Sequence, residues 1–494
     1  MNNKAIESPI PEAVRSPSRF KNPIGKFRLH RSNACVACGK CVEICPYGVH
    51  ELRRGVVLTR HPYRCVGPDC PEPCHEICPV KAISLKRNPT FDAIGDFRWT
   101  GDLLVSTWHM AETGEMPPGG LECRIGNSGG GFDKLRIQLP PRKFSKEETP
   151  EDDIDVGVEL NRRGDNAHRI KIRVPFYGGG MSYGSVSITT MLSRMKAAQA
   201  LGTFCCTGEG GYPDEVKPYD DHVITQVATG LFGVREETIQ RVKIVEFKYA
   251  QGAKPGLGGH LLGDKVTPGV ARMREAVVGS PLFSPFPFHS VYSVEDHRKH
   301  VDWIKAMNPQ ALVSVKVSTP TDVDMVAVGS YYAGAHIIHL DGSYGGTGAA
   351  PEIAKKNIAM PIEYAVPKVH QFLKEEGVRD KMTVIASGGI RTPHDVAKII
   401  ALGADGVCTG TADLVALECV RCHNCESGRG CARGIATTDP ELMELIEMEW
   451  GTQRVTNLFL AWKKELVRIL KRLGMRSLQE LVGRTDCLVH LDYK

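Results

Sequence analysis

The sequence predicts an α/β protein built on an eight-stranded (β/α)8 TIM barrel, with a small cysteine-rich α+β domain in front of it. Three observations carry this. From about Ile170, short β-rich runs alternate with helical stretches over about 250 residues, a length that suits a barrel better than an open sheet. Each run ends in glycine-rich polar sequence, where such barrels keep their chemistry. Near the N-terminus, two cysteine runs each close on Cys-Pro.

The stretch MNNKAIESPIPEAVRSPSRFKNP has charge and proline but no apolar h-region, so residues 1–25 read as a mobile tail rather than a secretory signal. The run Cys35, Cys38, Cys41, Cys45-Pro46 has the bacterial ferredoxin spacing. Cys65, Cys70, Cys74, Cys78-Pro79 is looser with the same ending. Eight thiols in two such runs fit two [4Fe-4S] clusters better than zinc, which takes four ligands in two spaced pairs. In a ferredoxin topology Cys35, Cys38, Cys41 and Cys78 hold one cluster, and Cys65, Cys70, Cys74 and Cys45 the other. HELRRGVVLTRHPY reads as a hairpin, and VKAISLKR after Cys78 repeats YGVHELRR after Cys45, which makes residues 26–94 a ferredoxin-like domain. Residues 95–165 (GEMPPGG, NSGGGF, SKEETPEDD) show little periodicity and read as a connector wrapping the barrel.

The barrel is expected over 166–418, through IRVPFYGGGMSYGS, GTFCCTGEGG, KIVEFKYAQGAKPGLGG, ALVSVKVS, AHIIHLDGSYGGTGAAP, MTVIASGGIRTPHDV and ADGVCTGTADL. IASGGI and CTGTA put Gly388, Gly389, Gly410 and Thr411 at the mouths of strands seven and eight, each opening a helix. That is the usual barrel phosphate site, and FMN is its commonest occupant. No GxGxxG occurs, so a built-in NAD(P) site is not expected. GMSYG matches the GxSxG nucleophile elbow, but an elbow needs an acid and a histidine in later loops of an open sheet and leaves the cysteine runs unexplained. Met181 and Ser182 are instead expected against a flavin ring, with Ser182 hydrogen-bonding ring or substrate.

Lys316, ending a strand within SVKVS, is expected to neutralise the flavin N1/C2 edge or pin a substrate carboxylate. Glu209 in TGEGG is the candidate general acid/base or ammonium-orienting carboxylate, with a pKa raised by the closed mouth; a helix cap is its plain alternative. Gln251 and Lys254 are placed at the ring or its phosphate, and Asp341 with Gly345, Gly346 and Gly348 along the ribityl chain. His336 reads as a satisfied core histidine.

A third run, Cys419, Cys422, Cys425 and Cys431, spans a loop at 419–437 and offers four thiolates for a further iron–sulfur cluster, with zinc as the alternative. In 438–494, Val455, Leu458, Phe459, Trp462, Leu466, Ile469 and Leu473 share one helix face, and Gly474 reads as its C-cap.

MSYGSVS, TGEGG, YAQGAKPGLGG, SPFPFHSVYSVED, SVKVS, DGSYGGTGAAP, IASGGIRT and CARGIATTDP together resemble the FMN-binding synthase domain of glutamate synthases in their glutaminase-free, archaeal-type form. The resemblance covers about residues 100–494. It implies FMN, a [3Fe-4S] or [4Fe-4S] cluster at the third run, and reductive amination of 2-oxoglutarate through 2-iminoglutarate. Phe288, His289 and Ser290 depart from the family's paired-histidine block, which leaves room for another imine, such as one leading to N-methylglutamate. An electron-transfer subunit without its own substrate is the reading from a different class. Ammonia is expected free or from a separate glutaminase subunit, and electrons from a ferredoxin or a separate NAD(P)H-oxidising subunit.

A net charge of +5 on 494 residues, with no Lys/Arg runs, argues against nucleic acid, and no window of 18 apolar residues occurs. The chain is therefore expected in the cytoplasm, as an oligomer.

Overall fold

The structure is a computed structural model that describes residues 9–117, 119–128, 131–140, 153–285, 288–345, 350–351, 353–355 and 357–493. Eight parallel strands close a barrel: β1 (Phe176–Gly178), β2 (Cys205–Cys206), β3 (Val223–Ala228), β4 (Ile244–Lys248), β5 (Leu312–Val317), β6 (Ile337–Asp341), β7 (Thr383–Ser387) and β8 (Gly406–Thr409). Each pairs with the next in sequence, and β8 returns to β1.

Side chains alternate across each strand, so residues two apart share a face. On β4, Val245 and Phe247 pack outward in an apolar cluster with Ile239, Val301 and Ile304. That leaves Glu246 and Lys248 for the interior. Register carries the same face around the barrel, with Gln226 beside Glu246, Lys248 beside Lys316, Lys316 beside His339, and Asp341 beside Ser387. His336 and His339, an odd number apart, fall on opposite faces. His336 is fully buried, accepts the Val313 amide at 3.0 Å through Nδ1 and pairs with Asp165 at 2.8 Å, as a core histidine should.

Residues 27–87 form a small α+β unit. Strand Phe27–Arg31 pairs antiparallel with Ile83–Arg87, His50–Arg53 forms a hairpin with Val56–Thr59, and the short helices Lys40–Ile44 and Cys74–Ile77 lie within the two cysteine runs and end at Cys45 and Cys78. The internal repeat is visible in its bonds: Val49 N–H donates to Cys45 Sγ at 3.4 Å, and Ala82 N–H to Cys78 Sγ at 3.2 Å.

Two expectations need correction. The connector holds a 13-residue helix, Gly101–Thr113, capped by Thr100 and closed by Gly114, which packs on the long C-terminal helix Met448–Leu473. Its pattern is hard to see because it is buried on most sides, from Leu103 to Trp108 without a break. Nor is the N-terminal segment a loose tail over residues 9–25. Arg454 and Asn457 donate to the carbonyls of Ser16 (2.9 Å) and Val14 (2.8 Å), Trp450 Nε1 to Pro17, and Arg19 to the carbonyls of Leu417 and Leu445. Sequence polarity concealed this because backbone carbonyls do the binding. The predicted stripe of the long helix is buried from Val455 to Ile469, and Gly474 caps it at φ 74°. No helix of the described residues is long and apolar enough to cross a membrane.

Candidate active site

A hydrogen-bonded chain crosses the inside of the barrel. Glu246, 1% exposed, accepts from Gln226 Nε2 (2.7 Å), Ser314 Oγ (3.1 Å) and His339 Nδ1 (2.9 Å). Burial would raise this carboxyl, but His339 and Lys316 beside it hold it down to about 2. Ser387 gives its hydroxyl to Asp341 Oδ1 at 2.6 Å, which leaves His339 Nε2 to donate to Ser387 Oγ at 2.8 Å. Asp341 Oδ2 takes the Gly252 amide at 2.8 Å and lies 3.8 Å from Lys316 Nζ. Burial pulls the Lys316 ammonium down, yet Asp341 and Glu246 lift it above its ordinary value, so it stays charged.

Above this floor, the loops after β2 and β4 bring a second cluster together. Lys248 Nζ pairs with Glu209 Oε1 at 3.2 Å, and Ser284 Oγ donates to Glu209 Oε2 at 3.1 Å. The expected raised pKa at Glu209 is corrected: burial pushes it up, but Lys248, Ser284 and Lys254 hold it below its ordinary value as a carboxylate. A Cβ on Gly259 would lie 1.4 Å from Glu209 Oε1, so any side chain there displaces the carboxylate. Arg274, 4% exposed, donates through Nη2 to Ser182 Oγ (2.8 Å) and the Tyr183 carbonyl (3.1 Å), and its Nε has no partner among the described residues. The Ser182 hydroxyl is therefore held by a guanidinium, an arrangement that does not make a nucleophile. Lys254, 2% exposed, is pushed down to about 8 by burial and by Lys248. Its charged neighbours are Lys248, Glu209 and Glu426, which puts it with this cluster.

The phosphate glycines lie at the opposite strands. Gly388 and Gly389 have φ of 94° and 97°, and a Cβ on Gly388 would lie 2.6 Å from the Gly342 carbonyl, so the β7 turn sits directly against the β6 turn. Gly410 caps helix Thr411–Ala416 with open space where a side chain would be. Below them Arg194 donates to Asp413 (2.9 Å) and the Gly179 carbonyl (2.7 Å) and keeps Nη1 unpartnered. Met181, Gln251 and Gly345 are half-buried around the mouth, and Gly346 and Gly348 lie outside the described residues.

The cysteines of the N-terminal unit divide between two cavities. Cys35, Cys38, Cys41 and Cys78 line one; Cys45, Cys65, Cys70 and Cys74 line the other. Arg31 donates to Cys35 and Cys41 at 3.5 and 3.6 Å, and His50 Nε2 lies 3.4 Å from Cys74 Sγ. Among the described residues, no group of three or more His, Cys, Asp or Glu converges as a single-ion metal site. In the third run, Cys419 is pushed up to about 12 by burial, with Cys425 and Cys431 as charge neighbours. Lys265 ties this loop to the β4 side of the mouth through Glu426 at 3.1 Å, and Arg421 ties it to Asp96 at 2.8 Å, two residues past the N-terminal domain.

Glu246, His339, Ser387, Lys248 and Arg274 escaped sequence reasoning. A signal existed for Glu246, Lys248 and His339, since polar residues spaced by two inside otherwise apolar strands (VEFK, IHLD) point inward, whereas Ser387 in TVIAS had none. Arg274 sits on a helix far along the chain and carried none.

A closed parallel barrel with its charge gathered at the C-terminal mouth is a (β/α)8-barrel enzyme. Its family follows from comparison. The conserved region of glutamate synthase matches residues 133–476. An archaeal-type glutamate synthase [NADPH] of Thermotoga sp. (strain RQ2) is 39% identical over 477 residues, 92% of each chain. The archaeal glutamate synthase [NADPH] of Methanocaldococcus jannaschii is 38% identical over 483 residues, 92% of this chain and 93% of that one. The glutamate synthase [NADPH] large chain of Azospirillum brasilense is 37% identical over 324 residues, 64% of this chain and 21% of that one. The chain belongs to the glutamate synthase family, whose members are oxidoreductases.

Proposed function

We propose that the chain makes L-glutamate from 2-oxoglutarate and ammonium, using FMN in the barrel and iron–sulfur clusters at the three cysteine runs. The observation that carries this is an excess of buried positive charge. Lys248, Lys254 and Arg274 are each at most 8% exposed and share Glu209 as their carboxylate, while Glu426, the other acid near Lys254, is paired with Lys265. Buried cations without matching anions are costly, and a dicarboxylate supplies the two negative charges this cluster is short of.

The residues fit FMN. Gly410 has open space beside it at the start of helix Thr411–Ala416, the Gly388–Gly389 turn packs on Gly342 and Tyr344 next to it in the barrel, and among the described residues the buried Ser343 hydroxyl has no partner, so a phosphate would find room and donors here. FMN, when bound, couples one-electron donors to a two-electron reduction. Lys316 would supply the flavin with a fixed positive charge, and the Glu246–His339–Ser387–Asp341 chain keeps that ammonium charged and in position. Glu209, kept as a carboxylate, orients ammonium, while Arg274 and Lys254 hold the 2-oxo acid. Two electrons, two protons, ammonium and 2-oxoglutarate give glutamate and water.

The thiol-lined cavities fit clusters through their donor sets, four thiols each with amide and guanidinium donors to sulfur. The third run, joined to both Asp96 and Lys265, is placed to pass electrons to the mouth. The donor is a ferredoxin or a separate NAD(P)H-oxidising partner; the names of the relatives carry NADPH. Anaerobically reduced protein given 2-oxoglutarate and ammonium should form glutamate in proportion to reducing equivalents. Reoxidation by an N-alkyl imine but not by this pair would move the reading to another substrate.

A further inference from the structure

The chain's net charge is concentrated at one end. Residues 26–94 hold eleven Lys and Arg against six Asp and Glu, an excess equal to the +5 of the whole chain. Within that unit the charge is again uneven. The cavity of Cys35, Cys38, Cys41 and Cys78 is lined by Val36 and Val80, which are 62% and 38% exposed, and Cys38 itself is exposed. Leu52, half exposed, leans toward this rim beside Gly39. Lys40, Arg53, Arg54 and Lys81 surround it, all exposed and with no ion pair among the described residues, and outnumber the exposed Glu43 beside Gly39.

The other cavity differs on both counts. Its exposed neighbours Asp69, Glu72 and Glu76 are acidic. Its lining residues Val66 and Tyr47 lie against Gly120 and Gly119 of the connector, so closely that a Cβ on Gly120 would fall 1.9 Å from Val66 Cγ1. One cavity therefore faces solvent through an apolar patch with a basic rim, and the other faces the body of the chain. Apolar contact at the centre with complementary charge at the edge is the pattern of a transient docking face.

We propose that the face formed by Val36, Val80 and Leu52, ringed by Lys40, Arg53, Arg54 and Lys81, receives an acidic one-electron carrier protein. Electrons enter at the Cys35/Cys38/Cys41/Cys78 cavity and leave through the Cys45/Cys65/Cys70/Cys74 cavity toward the barrel. Two carriers each surrender one electron for every glutamate formed. This rests on the reading that both cavities hold iron–sulfur clusters.

The test uses the holoenzyme and, as probe, an acidic two-cluster bacterial-type ferredoxin. R53E/R54E reverses charge at the tip of a hairpin, where neither side chain touches a cysteine. The Kd should weaken about tenfold or more at low ionic strength, with a shallower salt dependence. R53Q/R54Q should fall between, K374E/K381E on a distant surface should match the wild type, and dithionite-driven turnover should be unchanged in all three. An R53E/R54E Kd and salt slope equal to wild type, in protein shown by iron analysis and electron paramagnetic resonance to hold its clusters, overturns the docking face alone. Protein that assembles no clusters in these cavities overturns both readings.

Discussion

Lys316 Nζ and Asp341 Oδ2 stand 3.8 Å apart inside the barrel, too far for a close ion pair, because Asp341 is already engaged by Ser387 and by the Gly252 amide. An ammonium has three donors, so most of the capacity of this one is uncommitted. The neighbouring carboxylates keep it charged without consuming it, as a site for developing negative charge requires.

Lys316→Met should therefore lower glutamate formation by about a hundredfold or more and shift the bound flavin to a more negative reduction potential. A redox titration of the variant checks this. An unchanged potential would confine Lys316 to holding substrate.

The Lys248–Glu209 pair depends on a neighbour with no side chain. Gly259→Ala would place a methyl 1.4 Å from Glu209 Oε1, and the carboxylate must move. The expected result is a fall in turnover of roughly tenfold to a hundredfold with the barrel still folded, since a loop contact rather than core packing is lost. Glu209→Gln should raise the KM for ammonium more than that for 2-oxoglutarate. Equal effects on both would remove Glu209 from the amine side.

Lys254 gives the site a pH limit. Burial and Lys248 lower its ammonium to about 8 in the ligand-free protein, and binding a dianion needs the proton in place. Affinity for 2-oxoglutarate is therefore full below that value and falls as pH rises through it, by about tenfold per unit beyond. Lys254→Met should bind weakly at every pH and lose that inflection in log(kcat/KM).

The architecture was readable from the sequence because parallel barrels announce themselves through repeated β runs ending in glycine. The grouping of the N-terminal cysteines came from the ferredoxin topology, since spacing alone would keep each run to itself, and the linings of the two cavities divide the eight residues in the same way. Most of what was missed depends on partners far along the chain. Arg274 meets Ser182 ninety-two positions away, and the strap at Val14 and Ser16 meets helix residues more than four hundred positions away. The raised pKa expected at Glu209 is reversed because Lys248, which outweighs the effect of burial, lies on strand β4, far along the chain from TGEGG.

Glu363 offers a test in stability rather than catalysis. Among the described residues no other residue hydrogen-bonds either of its buried oxygens, and burial raises it from 4.5 to about 7. Between those values the unfolded chain has already released a proton that the native state keeps, so native stability falls as pH rises and stays lower above about 7. Glu363→Gln removes the charge at nearly constant shape. It should stabilise by on the order of 3 kcal/mol at pH 8 and by little near pH 4.5. Thermal melts at the two pH values decide it, and an equal shift at both would assign the effect to packing.

The third cysteine run is tethered on one side to Asp96, just past the N-terminal unit, and on the other to Lys265 at the barrel mouth. If its thiols hold a cluster, that cluster is the wire between the two. Cys425→Ser removes one ligand and leaves Gly388, Gly389 and Gly410 untouched, so the flavin cradle should survive. The variant should bind FMN at full occupancy and still be reduced directly by dithionite. Turnover driven through the N-terminal cysteines should fall by at least tenfold. Iron content and the magnetic signal of the third cluster establish whether it has been lost. Undiminished carrier-driven turnover in protein shown to lack it would leave the loop as a structural tie between the N-terminal unit and the barrel, with electrons reaching the flavin by another path.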